Sequence, residues 1–438
     1  MTYAEAVARL QALRGGEHAG MRQGLERIEG LLDALGRPEQ RYRLVQVGGT
    51  NGKGSVSAML AAILKSAGHR VGLYTSPHLV SFRERIRVNG EPIPEDGVVD
   101  GVEALGTLVA RFDATTFEAT TAIALDHFAR EAVDVAVLEV GLGGRLDATT
   151  VGTPEVAVIA RIDLDHQAVL GATLEAIAGE KAAIIRGGIA VCAAQAPEAE
   201  RVIVTRAAAV GVPLLLEGRE LSVSVERRGP DGQRLTCAGP GWSLAGLELG
   251  MPGSFQPSNA LLAVAAAREL GVGEAAIRDG LARVWWPGRF QVFRRANGFL
   301  VLDGAHNPAG ARALATSLRD VFGEARVTFV LGILSDKDAA GIVAALAPLA
   351  ERFILVAPAS PRATAPEVLR AAVPAGVRHV EIGGSPADAL ERAVRSATTP
   401  IVCVAGSLFL IGDVLRHIAG SDKPCSLEKG AASMRLPF

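Results

Sequence analysis

Gly52-Lys53-Gly54-Ser55, inside the run LVQVGGTNGKGSVS from Leu44 to Ser57, is the first group whose residue types could do chemistry. Glycines let backbone N–H groups crowd toward an anion, and a following helix adds its positive end. The lysine supplies a point charge suited to a β- or γ-phosphate. The usual phosphate loop reads G-x-x-x-x-G-K with Ser or Thr directly after the lysine. Here Gly54 intervenes before Ser55, and Val47 stands where the leading glycine belongs. This spacing describes an anion site unlike the GTPase loop; the plain alternative is a tight turn with an exposed lysine.

Four further groups carry suitable side chains. VDVAVLEVGLGGRLDATT ends an apolar run on Glu139, and Gly141, Gly143 and Gly144 then allow close backbone approach. A carboxylate at the end of a parallel strand lies where ligands bind, and a hard oxygen beside a phosphate loop suits Mg²⁺. IARIDLDHQAVLGATLEAIAGEKAAII ends another run at Asp163, Asp165 and His166. Thr173 or its neighbour can cap the helix that follows, and on residue types alone Lys181 beside Glu180 reads as half of a surface ion pair. YTSPHL offers the Ser76 hydroxyl, and LVLDGAHNPAG offers Asp303 and His306 at a strand-to-helix step.

The elements that must position these groups follow one rhythm: short apolar run, glycine-rich turn, helical repeat. RLVQV, HRVGLYTS, VDVAVLEV and PEVAVIARI are strand-like, and VSAMLAAILKSAG places Val56, Met59, Leu60, Ile63 and Leu64 on one stripe before Gly68. Continuous apolar strands separated by helices predict a parallel sheet covered on both faces. Residues 219–249 break the rhythm, alternating around Pro230-Asp231-Gly232 as an antiparallel hairpin would. WWPGRFQ reads as a joint, after which strand–turn–helix units resume. Fold logic then puts chemistry on two sheet edges facing each other across that joint. The tail after Gly420 lacks periodicity.

Composition narrows the class. With 438 residues, 49% hydrophobic and 21% charged, the chain predicts a globular protein of more than one domain. A net charge of −2 leaves no basic footprint for nucleic acid or an anionic membrane. Basic stretches such as SFRERIRV are short and alternate with apolar residues, and they read as solvated strand faces. Cys192, Cys237, Cys403 and Cys425 are scattered, as free thiols in a reducing compartment would be. The amphipathic N-terminus and the lack of a long clean apolar run predict a cytoplasmic protein.

GLERI, VGGTNGKGS, YTSPHL, FEATT, EVGLGGRLDATT, LDHQAVLGATLEAIAGEKAAII, PGRFQ, DGAHNP and AGSL occur in this order. Over residues 20–415 the chain thereby resembles the folylpolyglutamate synthase/dihydrofolate synthase family, a branch of the ATP-dependent Mur ligases. The resemblance implies a P-loop-type α/β Mur ligase central ATPase domain followed by a smaller Rossmann-like α/β C-terminal domain. On this chain the first covers 1–288, with folate-binding loops and a small β-hairpin insert; the second covers 289–420, and 421–438 is tail.

The implied reaction activates a folate or dihydropteroate carboxylate with ATP as an acyl phosphate, which L-glutamate attacks. Two Mg²⁺ ions and a monomer are implied. Carried over residue by residue, Asn51, Gly52, Lys53, Gly54 and Ser55 cradle phosphates, while Asn259, Arg289 and Asp303 contact the nucleotide. Ser76, Glu139 and His166 resemble metal ligands, and Lys181 matches a lysine carried as an N6-carbamate. Phe117, Glu118, Ala119, Thr120, Arg145 and Leu146 fall on the pterin side; His306 and Ser407 fall near the incoming glutamate. Lys53, Lys181 and His306 are the implied catalytic set.

Two departures stand out: Ala183 where relatives often read EKAGI, and MRQGLERI where they often read IDLGLERV, which bears on dihydropteroate use. Competing readings are a Mur-type ligase of cell-wall precursors, for which little chain precedes the loop, and a nucleotide switch. SDKD lacks the Asn-Lys-x-Asp order that a guanine reader needs.

Overall fold

A computed structural model describes residues 1–13, 24–396 and 399–420. The chain splits into two compact units. Unit 1 comprises Met1–Ser224, Thr236–Leu247 and Ser258–Val284; unit 2 comprises Val225–Leu235, Glu248–Pro257 and Trp285–Phe438.

Unit 1 is built on eight strands: β1 (Arg43–Gly48), β2 (Val71–Tyr74), β3 (Ile86–Val88), β4 (Glu91–Pro92), β5 (Val135–Glu139), β6 (Val156–Ile159), β7 (Ile189–Cys192) and β8 (Leu214–Leu216). They lie in the order β4-β3-β2-β5-β1-β6-β7-β8. From β2 to β8 all pairings are parallel, which is why β6 and, up to its terminal Glu139, β5 are apolar, and both are buried throughout. The carboxyl ends of β2, β5, β1 and β6 therefore stand side by side on one edge, bringing together turns that are distant in sequence.

The helix Lys53–Ser66 is buried along most of its length, and helix Glu274–Arg283 packs on it closely. Gly280 permits this approach, since a Cβ there would lie 2.5 Å from the Ile63 backbone.

The expected hairpin forms as β9 (Ser222–Gly229) and β10 (Gly232–Gly239), and β11 (Trp242–Leu249) extends it to a three-stranded sheet. The turn at Pro240-Gly241 returns the chain for a third strand that the Pro-Asp-Gly signal did not announce. Unit 2 carries β12 (Gln291–Arg295), β13 (Gly298–Leu302), β14 (Val327–Leu331), β15 (Ala350–Leu355), β16 (His379–Ile382) and β17 (Ile401–Ala405). Their order is β12-β13-β17-β14-β15-β16, with β12 antiparallel and the rest parallel. Phe329 and Phe353, stacked 5.5 Å apart, lie in its core.

The basic stretch SFRERIRV is not a solvated face. Arg83 donates to the Ile93 carbonyl, and Arg87 donates to those of Glu84 and Gly90. Arg85 is buried with its Nε–H on His78 Nδ1 at 2.8 Å. A short 3₁₀ turn, Phe82–Arg85, starts the segment, whose arginines thus meet backbone carbonyls or, for Arg85, an imidazole nitrogen. Cys192, Cys237 and Cys403 are free and buried, and burial pushes the first two thiols up to about 12. Cys425, the tail and residues 14–23, which include the Met21-Arg22-Gln23 of MRQGLERI, lie outside the described residues. Among the described residues no helix is long and apolar enough to cross a membrane.

Candidate functional site

The phosphate-loop candidate leaves β1 at Gly48 and enters the helix at Lys53. Gly49 and Gly52 take positive φ, and a Cβ on Gly52 would fall 2.4 Å from the Asn259 side-chain oxygen. Asn259 thus stands directly against the loop, and glycine is needed at 52 on both steric and conformational grounds. The amides of Thr50 and Asn51 both bond the Arg161 carbonyl, at 2.8 and 3.1 Å. The N–H groups that can turn to an anion are therefore those from Gly52 into the first helical turn. Lys53 Nζ folds back on the carbonyls of Gly49 and Thr50, at 3.2 and 3.1 Å.

Lys181 reaches the same place from helix Leu174–Ala182, whose N-cap is Thr173. It is 4% exposed, and Nζ donates to Gly49 O at 2.8 Å, so two lysines share one carbonyl. The surface ion pair with Glu180 is overturned, because Glu180 instead pairs with Arg145 at 2.8 Å. Burial first, then the Lys53 cation, pulls the Lys181 amine down from 10.5 to about 7.

The sign of the linkage follows. Between pH 7 and 10.5 the unfolded chain holds a proton that the folded chain has released, so stability rises with pH across that window. Below it the cost of burying the cation is fully present. Lys181→Met is expected to flatten this rise in thermal melts taken across the window; parallel profiles for both proteins would contradict it.

Ser76 and Glu139 lie on adjacent strand ends, β2 and β5, and the Ser76 amide donates to Glu139 Oε2 at 3.2 Å. Glu139 is 5% exposed. His166 stands on an exposed turn beyond β6, with Nε2 3.9 Å from Asp165 Oδ1. Among the described residues no group of three or more His, Cys, Asp or Glu could hold a metal ion unaided. A buried carboxylate next to a serine on the neighbouring strand end does fit Mg²⁺, which takes few protein ligands and completes its shell from phosphate and water.

The loop from 141 to 150 is organised by Asp147, which the motif reading passed over. Its carboxylate accepts from the Leu142 and Thr149 amides and the Thr149 hydroxyl, at 2.8, 3.0 and 2.6 Å. Burial raises its pKa against the pull of those bonds. A Cβ on Gly144 would meet the Glu180 carbonyl at 2.7 Å, so this loop lies flat on the Lys181 helix. Arg145 is exposed and Leu146 half-buried.

Of the FEATT element, Phe117 approaches the loop closely enough that a Cβ on Gly141 would clash with its ring. Glu118 bonds Arg27 at 2.9 Å and the Thr115 amide at 2.8 Å. Ala119 and Thr120 are fully buried, the Thr120 hydroxyl donating to the Thr116 carbonyl. The last three hold their helix, Thr116–Arg130, in place.

In unit 2, Asp303 closes β13 and accepts from the Phe290 and Ala305 amides, at 2.7 and 2.8 Å. Burial raises its pKa while Arg289 opposes that shift. A Cβ on Gly304 would meet the Arg289 guanidinium at 2.8 Å, which sets Arg289 beside Asp303's strand end. His306 Nδ1 lies 2.8 Å from Gly304 O. Ser407, buried after β17, accepts from the Phe409 amide. Since β13 and β17 are neighbours, and the Gly406 amide donates to Ala305 O, Asp303, His306 and Ser407 share one edge.

Comparison with known proteins accounts for both units. Residues 47–267 match the Mur ligase middle domain, and 288–408 match the Mur ligase glutamate ligase domain. A folylpolyglutamate synthase from Lacticaseibacillus casei is 36% identical over 439 residues, covering 96% of this chain and 99% of that protein. The chain belongs to the folylpolyglutamate synthase/dihydrofolate synthase family. Its architecture is that family's mixed α/β Mur ligase fold, and it is an ATP-dependent ligase. Mycobacterium tuberculosis dihydrofolate synthase/folylpolyglutamate synthase is 37% identical over 416 residues, 89% of this chain and 85% of that protein. The structure of E. coli FolC in complex with DHPP and ADP superposes with a TM-score of 0.86. Its identity is 34% across 96% of this chain and 98% of that one.

Proposed function

We propose that this family member joins L-glutamate to dihydropteroate and to the γ-carboxylate of a reduced folate, using ATP. It acts as a cytoplasmic monomer. The observation that carries the reading is the convergence of Lys53 and Lys181 on Gly49 O, beside the strand ends of Ser76 and Glu139. A carboxylate and an ammonium only form a salt at neutral pH, so the acid must be activated. A carboxylate oxygen of the acceptor attacks the γ-phosphorus, the bridging P–O bond breaks, and acyl phosphate and ADP result. The deprotonated glutamate amine then attacks the acyl carbon; the C–O bond to phosphate breaks, leaving amide, inorganic phosphate and a proton released to solvent.

Lys53 and the amides from Gly52 to Ser55 hold the phosphates, where charge accumulates during transfer. Asn259, Arg289 and Asp303 are assigned to the nucleotide. We assign His306 and Ser407 to the incoming glutamate, and Phe117, Arg145 and Leu146 to the pterin side. Glu118, Ala119 and Thr120 act by shaping their helix. Ser76, Glu139 and His166 would hold Mg²⁺, which when bound neutralises triphosphate charge.

Lys181 is proposed to carry a carbamate: the neutral amine that its burial favours attacks CO₂, forming N–C and losing one proton. The resulting anion suits a site beside Lys53. The test is phosphate release from ATP with dihydropteroate or a reduced folate, each with and without glutamate. Turnover that needs both a pteroyl acceptor and glutamate is expected; release indifferent to either rejects the reading.

A further inference from the structure

Residues 160–163, which continue β6, are gripped from two sides. From the phosphate loop, Thr50 and Asn51 amides bond the Arg161 carbonyl. The Thr50 hydroxyl also donates to Asp163 O at 3.0 Å and accepts from Asp163 N at 3.1 Å. From the opposite side, Gln195 in the loop after β7 accepts from the Ile162 amide at 2.9 Å. Its Nε2 donates to Ala160 O at 3.1 Å. All four residues of the segment are thus fixed through main-chain atoms, and two residues further on the chain presents Asp165 and His166.

We propose that Thr50 and Gln195 are positioning residues of the nucleotide site, acting jointly through segment 160–163 to set the phosphate loop against the turn bearing His166. The proposal rests on the reading of that loop as the ATP site. Neither side chain touches a ligand in this scheme. The Thr50 hydroxyl fixes the direction in which the loop's first amides point, and so leaves those from Gly52 onward for phosphate. Gln195 bonds the main chain of Ala160 and Ile162, and through the strand end that it braces it is linked to the phosphate loop. A valine at 50 keeps the shape and removes both hydroxyl bonds; a serine keeps the bonds. A methionine at 195 keeps length and loses both amide contacts.

The experiment compares wild type, Thr50→Val, Thr50→Ser, Gln195→Met and the Val/Met double variant. ADP affinity is measured by calorimetry, KM for ATP and for glutamate by steady-state assay, and folding by thermal melt. Thr50→Val and Gln195→Met are each expected to weaken ADP binding and raise the ATP KM about tenfold, the scale of one lost hydrogen bond. The glutamate KM should stay within about twofold, and Thr50→Ser should restore the nucleotide constants. If one segment transmits both effects, the double variant loses little more than the worse single one.

A double loss equal to the product of the two singles overturns the shared brace. So does an equal rise in both KM values, or wild-type ADP affinity in Thr50→Val. Should Thr50→Val fail to fold, Gln195→Met and Thr50→Ser decide by the same constants. Wild type that binds no ADP sinks this proposal together with the proposed function. Wild type that binds ADP without turnover sinks the proposed function alone, and the ADP affinities then decide this one.

Discussion

Lys181→Ala is expected to lower kcat at least about a hundredfold while the protein still folds, the scale of removing one group that stabilises developing charge. Two facts set this apart from an ordinary core substitution. The amine lies buried against the phosphate loop's own carbonyl, Gly49 O, and its basicity is depressed to about 7. Lysine is a poor choice for bracing a carbonyl in such a place, because its cation must be desolvated. A group that is modified or that faces phosphate has reason to be there. Structural damage should be modest, since Gly49 O keeps Lys53 as a donor. Rapid-quench measurement of the first turnover, beside a thermal melt, separates the two effects. Intact-mass analysis of wild type should show a gain of one CO₂ that the alanine variant lacks. Near-normal turnover in the variant would remove Lys181 from the mechanism, and a lost melt would show it to be a strut.

Lys53→Ala is expected to cost more, about a thousandfold in kcat/KM for ATP, because it removes the loop's charge at the phosphates in ground and transition states alike. The lysine's present bonds, to the carbonyls of Gly49 and Thr50, are neutral contacts that a triphosphate can outcompete. Its loss also removes the cation next to Lys181, whose amine should then become more basic. Two readouts follow. ADP affinity should fall, and the pH profile of stability should begin its rise at higher pH than in wild type. An alanine variant with unchanged nucleotide affinity would mean that Lys53 only closes its own turn.

Much of this site was legible because each chemical group follows a buried strand, and parallel strands deliver their ends to one edge. Glu139 and Ser76 were found by that logic, and the order β2-β5-β1-β6 makes them neighbours. Lys181 was misread from residue types because its helix has little amphipathic character and its acceptor lies 132 residues away. Adjacent Glu180 suggested a partner that in fact belongs to Arg145. The arginines of SFRERIRV were misread for a related reason: alternation gives a side chain's face, not the carbonyl it will find. Asp147, Thr50 and Gln195 carry no motif signal of their own. Their importance lies in hydrogen bonds to main-chain atoms, which sequence spacing does not encode. The third strand, β11, was missed because its turn lacks the Pro-Asp-Gly signature of the first.

The single oxygen of Gly49 that accepts from two lysine side chains has a consequence for the proposed order of events. At the proposed ATP site an arriving triphosphate is expected to draw Lys53 off that oxygen, which leaves it to Lys181. In that scheme the incoming charge unlatches one lysine and leaves the other in place, so the side chain that closes the loop is also the one that grasps the guest.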